Sequence, residues 1–396
     1  GKYRFGLIFF KLMIKKHSFF YFLVYFIFGL SVLVGAQTTQ SDGKRSNTIQ
    51  TAAPFLLITP DARSGAMGDV GVAISPDANS LHWNPAKMAF LDKPTGLSAS
   101  YTPWLRNLVP DVDLGYLTIY HRLDKRNTIG GALRYFSYGS IQLTDNSQND
   151  IGVYSPNEFS IEGTYSRKFG NDFSLGTAIR YIRSSLSNGQ FNGRDIQPAT
   201  ALAADASAYY KTGTVLLGRD AELAFGLNVS NIGTKMSYTA NGSKSFLPTN
   251  MKLGGASTFM LDELSTLTFA LDLNKLLVPT SPIRDASGQI ISGKDTDRSV
   301  PSAIFGSFSD APGGFSEELS EISYSAGAEY WYNKQFAIRS GYFYETPTKG
   351  DRRYFTVGAG LKYNVFNLDF AYILANQQTS PLAQTLRFSL VFNFER

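Results

Sequence analysis

A 14-stranded antiparallel transmembrane β-barrel of the outer-membrane kind, all-β in class, is what three observations predict. From Thr95 onward, fourteen segments of about ten residues alternate apolar and polar side chains at period two. Ionised residues keep to one parity of that alternation. Short and long connections also alternate down the chain, as when hairpins turn tightly on one side of a bilayer and loop widely on the other.

The elements follow in chain order. A basic start, the apolar run Phe19–Val34 and the small-residue pattern Val34-Gly35-Ala36 predict a signal peptide, residues 1–36, cleaved after Ala36. Its apolar run is short for a membrane span. Met13 ahead of Ile14-Lys15-Lys16 suits the start of such a peptide, which would leave residues 1–12 upstream of it. The chain has 37 basic and 32 acidic residues, and residues 1–36 hold five of the basic and none of the acidic. The remainder is balanced, so no nucleic-acid partner is expected. Cysteine is absent, which excludes disulfides and thiolate chemistry.

Residues 37–53, polar and irregular, predict a mobile tail. Residues 54–94, PFLLITPDARSGAMGDVGVAISPDANSLHWNPAKMAF and its exit, predict short helices and turns. Gly65, Gly68 and Gly71 are expected to allow close turns, and Trp83 to pack under the Asn84-Pro85-Ala86 turn.

The barrel is expected over 95–394. Its strands are placed at 95–102, 112–121, 127–138, 158–167, 173–183, 201–211, 221–231, 249–259, 266–275, 322–332, 336–344, 353–363, 366–373 and 385–394. Leu223, Phe225, Leu227 and Val229 share one parity, against Glu222, Asn228 and Ser230. In the last segment Leu386, Phe388, Leu390, Phe392 and Phe394 oppose Arg387, Ser389 and Asn393. Arg134, Arg180, Lys211, Lys252, Arg339, Lys362 and Arg387 all fall on the polar parity. So do Glu158, Glu162, Asp205, Glu222, Asp272, Glu329 and Asp369. A basic side chain facing lipid at the midplane would cost about 2–4 kcal/mol, so this parity is assigned to an enclosed, hydrated interior. The long links are 139–157, 184–200, 231–248 and 276–321, with TGTVLLGRD between segments six and seven as an exception. An even strand number then returns both termini to the periplasmic side.

No catalytic constellation is present, so no enzyme, metal or cofactor is expected. The three histidines, His17, His82 and His121, are scattered, and no HExxH, GxSxG or phosphate-binding loop occurs. Glu158 and Glu162 share a strand face but are expected to be neutralised by Arg134 or Arg180. Apolar residues do cluster in two long loops: Trp104, Leu105, Leu108 and Val109 in one, and Ile304, Phe305, Phe308, Phe315 and Leu319 in the other. These are the expected partner-binding residues.

The run DARSGAMGDVGVAISPDANSLHWNPAKMAF followed by fourteen strands resembles the fatty-acid-transporter-like (FadL-like) barrels. The resemblance implies that residues 54–94 form a hatch in or under the barrel, with Asn84, Pro85 and Ala86 as its motif. Over 54–394 the chain looks more closely like the PorV (LptO) family of type IX secretion outer-membrane proteins. That likeness implies a non-enzymatic role: binding the C-terminal signal domains of cargo and carrying cargo from the giant translocon barrel to a surface sortase subunit. Outer-membrane lipid and lipopolysaccharide would surround it. The competing expectation is a FadL-like channel for hydrophobic small molecules, with Phe136, Tyr209 and Phe343 along the route.

Overall fold

The computed structural model describes residues 47–104, 111–144, 150–186, 189–191, 194–239, 242–375 and 382–395. The expected signal peptide and most of the expected tail lie outside these residues. The barrel strands are β1 Thr95–Pro103, β2 Asp113–Arg122, β3 Asn127–Ser137, β4 Asn157–Phe169, β5 Phe173–Ser185, β6 Ala199–Leu216 and β7 Arg219–Gly233. They continue as β8 Asn250–Met260, β9 Ser265–Leu276, β10 Ile322–Tyr332, β11 Phe336–Tyr344, β12 Arg353–Tyr363, β13 Phe366–Leu374 and β14 Leu386–Phe394. Each pairs with its sequence neighbours, and β14 pairs back onto β1 from Thr95↔Phe394 to Tyr101↔Phe388. Closure leaves no strand edge, as a bilayer requires.

The parity sorts as the alternation predicts. On β5 Ile179 is 68% exposed on the outer face, while the adjacent Arg180 is 5% exposed inside. On β9 Leu271 is 50% exposed and Asp272 1%. The large apolar side chains therefore coat the outside, and the charged and small ones face the lumen. A bulge interrupts β7: Ser230 and Asn231 together oppose Asp205, and Asn231 adopts φ 60°.

TGTVLLGRD is no exception to the link rule. β6 runs to Leu216 and β7 starts at Arg219, so the turn is Leu217-Gly218, with φ 52° and 73°. Positive φ at both central residues matches the twist of a tight hairpin. The strand continues through Gly213 to Val215 and Leu216, which pair with Asp220 and Arg219.

Residues 54–91 fill the interior. Short helical turns at Pro54–Leu57, Ala62–Gly65, Ser80–Trp83 and Pro85–Phe90 alternate with extended pieces, and most residues are buried. This segment starts at the long-loop mouth, where the Asn47 N–H donates to the Thr348 carbonyl at 3.0 Å. It leaves at the short-turn mouth, where Lys93 pairs with Glu395 at 2.6 Å. The two described ends, Asn47 and Glu395, thus lie at opposite mouths; the chain's own N-terminal residues, which the expectation of both termini on one side concerns, lie outside the described residues. Even strand parity brings Thr95 and Phe394 together, but the preceding segment threads the lumen before β1 begins.

Candidate functional site

The lumen is closed by polar bonds between the threaded segment and the wall. Arg63 donates from Nε and Nη2 to both oxygens of Glu329 on β10, at 2.9 and 2.7 Å, and from Nη1 to Asp77 at 3.0 Å. Glu329 also accepts from Arg339 of β11 at 2.7 Å, and Arg339 reaches Asp369 of β13 at 2.7 Å. Asp69 accepts from Arg387 of β14 at 3.0 Å and from the Tyr354 hydroxyl at 2.5 Å. Asp272 of β9 accepts from the backbone N–H of Gly71 and Val72, at 2.8 and 3.0 Å. Arg63, Glu329, Arg339 and Asp369 thus form one charge-paired chain, Asp69 with Arg387 a separate pair, and Asp272 is held by backbone N–H groups, each supplying the partners a buried ion needs.

Arg134, expected to neutralise a glutamate, instead donates to the carbonyls of Phe55 and Leu56 and to His82 Nδ1, at 3.2, 2.8 and 2.8 Å. An arginine can only donate, so His82 is neutral with its proton on Nε2. Burial, reinforced by the Arg134 charge, pushes the His82 imidazole well below its ordinary pKa. Burial also brings the Lys87 ammonium, which donates to the Gly71 carbonyl at 2.7 Å, down to about 8. Arg180 does pair with Glu162 (Nε–Oε2 2.8 Å) and with Asp205 at 2.9 Å. Among the described residues Glu158 meets no arginine; it accepts from the Tyr138 hydroxyl at 2.7 Å, while Arg134 is turned toward the threaded segment.

The Asn84, Pro85, Ala86 triplet clamps this segment to the wall. Asn84 accepts from the Ala86 N–H at 3.1 Å and caps the turn that opens at Pro85. Its amide nitrogen donates to the Val72 and Ala208 carbonyls, both at 3.0 Å, and the Ala86 N–H also meets Ser207 Oγ at 3.0 Å. Trp83 donates to Asp61 at 2.6 Å. Of the three glycines, Gly68 alone has positive φ, 69°, and its backbone lies against Tyr342 and Ala326.

Above the segment, at the long-loop mouth, lies a cavity of about 890 Å³. Phe136 and Phe343 line it, but Tyr209 does not; Tyr209 stacks edge-on with Phe90 in a separate cluster. The three aromatics expected along one route are therefore not brought together. Trp104 is half-buried beside this cavity, while Leu105, Leu108 and Val109 lie outside the described residues.

The longest loop carries two short helices, Val300–Gly306 and Phe315–Ser320. Phe305 and Phe315 are 79% and 77% exposed; Phe308 and Leu319 are also exposed, and Ile304 is half-buried. Buried ion pairs fix the base of this loop. Lys275 meets Glu318 and Glu321 at 2.9 and 2.6 Å, and Lys349 meets Glu317 and Glu321 at 2.6 and 3.0 Å. Sequence reasoning found the exposed aromatics but missed these braces, whose partners lie on β9, on this loop and on the link after β11. Among the described residues no cluster of acidic and histidine side chains could hold a metal ion.

Among solved structures, the chain is similar to the Pseudomonas putida toluene transporter TodX, with 12% identity, 89% of this chain and 100% of that one covered, and a TM-score of 0.49. It is also similar to a Pseudomonas aeruginosa FadL homologue, with 12% identity, coverage of 88% and 100%, and a TM-score of 0.45. No curated protein matches the chain. Residues 40–283 match the family model described as type IX secretion system protein PorV, and with most of its length so matched the chain belongs to the PorV family, an outer-membrane barrel component of type IX secretion.

Proposed function

We propose that this barrel is a non-enzymatic carrier in type IX secretion, which binds the C-terminal signal domains of cargo and passes cargo from the translocon barrel to a surface sortase subunit. In this reading the long loops face the cell exterior and the short turns face the periplasm. The loop 277–321 makes the partner contact, with Phe305, Phe308 and Phe315 as anchors. Trp104 and Ile304, both half-buried, are assigned to the same contact; residues 105 and 108, expected there too, lie outside the described residues. The carrying observation is the pair Phe305 and Phe315, held out on two short helices: Glu318 and Glu321 pair the second to Lys275, and Arg298 with Asp310 at 3.2 Å flanks the first. Exposed aromatics cost little to desolvate and serve as binding anchors.

A channel reading has less support. Phe136 and Phe343 stop at the mouth cavity, and below them Arg63, Asp69 and Asp272 tie the threaded segment to the wall.

The test is deletion of residues 301–319 in cells carrying the secretion system. Cargo should stop reaching the surface while the barrel still assembles in the outer membrane. Unchanged cargo delivery refutes the reading.

A further inference from the structure

Where His82 of the threaded segment meets the wall, three buried polar atoms have no hydrogen-bond partner among the described residues: His82 Nε2, Tyr116 Oη on β2 and Glu162 Oε1 on β4. All three side chains line one small cavity of about 10 Å³. Tyr116 and Glu162 are 2% and 7% exposed; His82 is less deeply placed, but its Nε2 is sealed from solvent. None of the three atoms bonds another directly. A buried donor or acceptor left without a partner costs the full desolvation of that group, so three of them converging on one space need a shared ligand.

The strands explain why the space is there. Ala132 of β3 is the cross-strand partner of Glu162, and its single-carbon side chain leaves a gap beside the carboxylate. Arg134, the next lumenal residue on β3, is engaged by the Phe55 and Leu56 carbonyls and by His82 Nδ1. The three atoms then have defined hydrogen-bond roles. His82 accepts from Arg134 on Nδ1 and so presents an N–H at Nε2. Glu162 takes two bonds from Arg180 on Oε2, which leaves Oε1 as an acceptor. The Tyr116 hydroxyl can donate or accept. One donor, one acceptor and one group that serves as both are a set that a single water molecule satisfies. The charges point the same way: the guanidiniums of Arg134 and Arg180 are matched by the carboxylates of Glu162 and Asp205, so the place suits a neutral molecule and not an ion. Its volume agrees, since one water needs about 10–15 Å³ and two to four polar partners.

We infer that this cavity is a binding site for one buried water molecule, which accepts from His82 Nε2, donates to Glu162 Oε1 and exchanges a hydrogen bond with the Tyr116 hydroxyl. The water joins the threaded segment to β2 and β4 at once, and such a bridge is nearly as good as a direct hydrogen bond. Where Arg63 and Glu329 fasten the segment to β10, the water fastens it to the opposite wall. The inference goes beyond the proposed carrier role, and the site's occupancy is measured without any secretion assay.

The experiment is a crystal structure of the protein, purified in a neutral detergent, at a resolution that shows ordered water, with a second crystal soaked in rubidium bromide. One density peak should lie within about 3.2 Å of His82 Nε2, Tyr116 Oη and Glu162 Oε1 together, and it should give no anomalous signal after the soak. Ala132→Val, first shown to keep the heat-modifiable migration of a folded barrel, should remove the peak and lower the temperature at which the folded band is lost, although it adds an apolar contact. Should that variant fail to fold, the wild-type density decides alone. An empty cavity, a peak that reaches fewer than the three atoms, an anomalous peak marking a bound ion, or an Ala132→Val barrel that loses the peak yet melts with the wild type would each overturn the proposal.

Discussion

Arg63 and Glu329 meet through two parallel hydrogen bonds, 2.9 and 2.7 Å long, with both side chains largely buried. One belongs to the threaded segment and the other to the wall, so the pair joins two parts of the chain that lie 266 positions apart. Bidentate geometry and a second arginine on the same carboxylate offset the desolvation that makes most buried pairs marginal.

Glu329→Ala leaves both Arg63 and Arg339 without their acceptor and should destabilise the barrel by about 3–5 kcal/mol. The temperature at which the folded band disappears in semi-native electrophoresis reports this. The double variant Glu329→Ala with Arg63→Met should recover part of the loss, since it also removes an uncompensated charge. A double variant as unstable as the single one would show that the pair is not what holds the segment.

Gly68→Ala tests the close approach to the wall. A Cβ there would sit 2.5 Å from the Tyr342 nitrogen and 2.7 Å from the Ala326 oxygen, at a φ that side chains rarely adopt. A loss of about 1–3 kcal/mol is expected. Gly115→Ala, which meets nothing within 4 Å, should be neutral in the same assay.

His82 makes stability depend on pH. Its folded-state pKa is depressed, so as pH falls the unfolded chain takes up the proton first. The contribution is complete above about pH 6.5 and is lost progressively as pH falls toward the folded-state value. Denaturation midpoints of the wild type should therefore drop between about pH 7.5 and about pH 5. His82→Asn, which keeps an acceptor toward Arg134, should flatten that part of the profile; an unchanged slope would assign it to other groups.

Glu321→Ala removes the acceptor that Lys275, Lys349 and Thr280 share. The loop 277–321 should loosen, and chymotrypsin should cut at Phe305 or Phe315 about ten-fold faster than in the wild type, since local opening sets cleavage. Identical digestion rates would mean that the loop is held by other contacts.

The barrel was legible in the sequence because a bilayer acts on single residues: Ile179 out and Arg180 in is a choice each position makes alone. For that reason ten of the fourteen expected segments fall within strands, and the other four overrun one by a single residue. The link TGTVLLGRD looks long in the sequence, but β6 and β7 stay paired out to Leu216↔Arg219 and leave only Leu217-Gly218 as the turn. The lumenal contacts were not legible. Arg134 serves the Phe55 and Leu56 carbonyls instead of a glutamate because closure brings the threaded segment beside β3, and no spacing in the chain encodes that meeting. Asn84 did carry a signal, since an Asn-Pro pair marks a turn, yet its two bonds to the Val72 and Ala208 carbonyls depend on the finished interior.

The threaded segment has a mechanical consequence. Through Arg63, Asp69, Gly71 and Asn84 it is fastened to staves all round the cylinder, β6, β9, β10 and β14 among them, so lateral pressure from the bilayer falls on a solid rivet and not on a hollow tube. A rivet keeps its girth. Changes of shape are then left to the rim and the loops, with the shank as a fixed post beneath them.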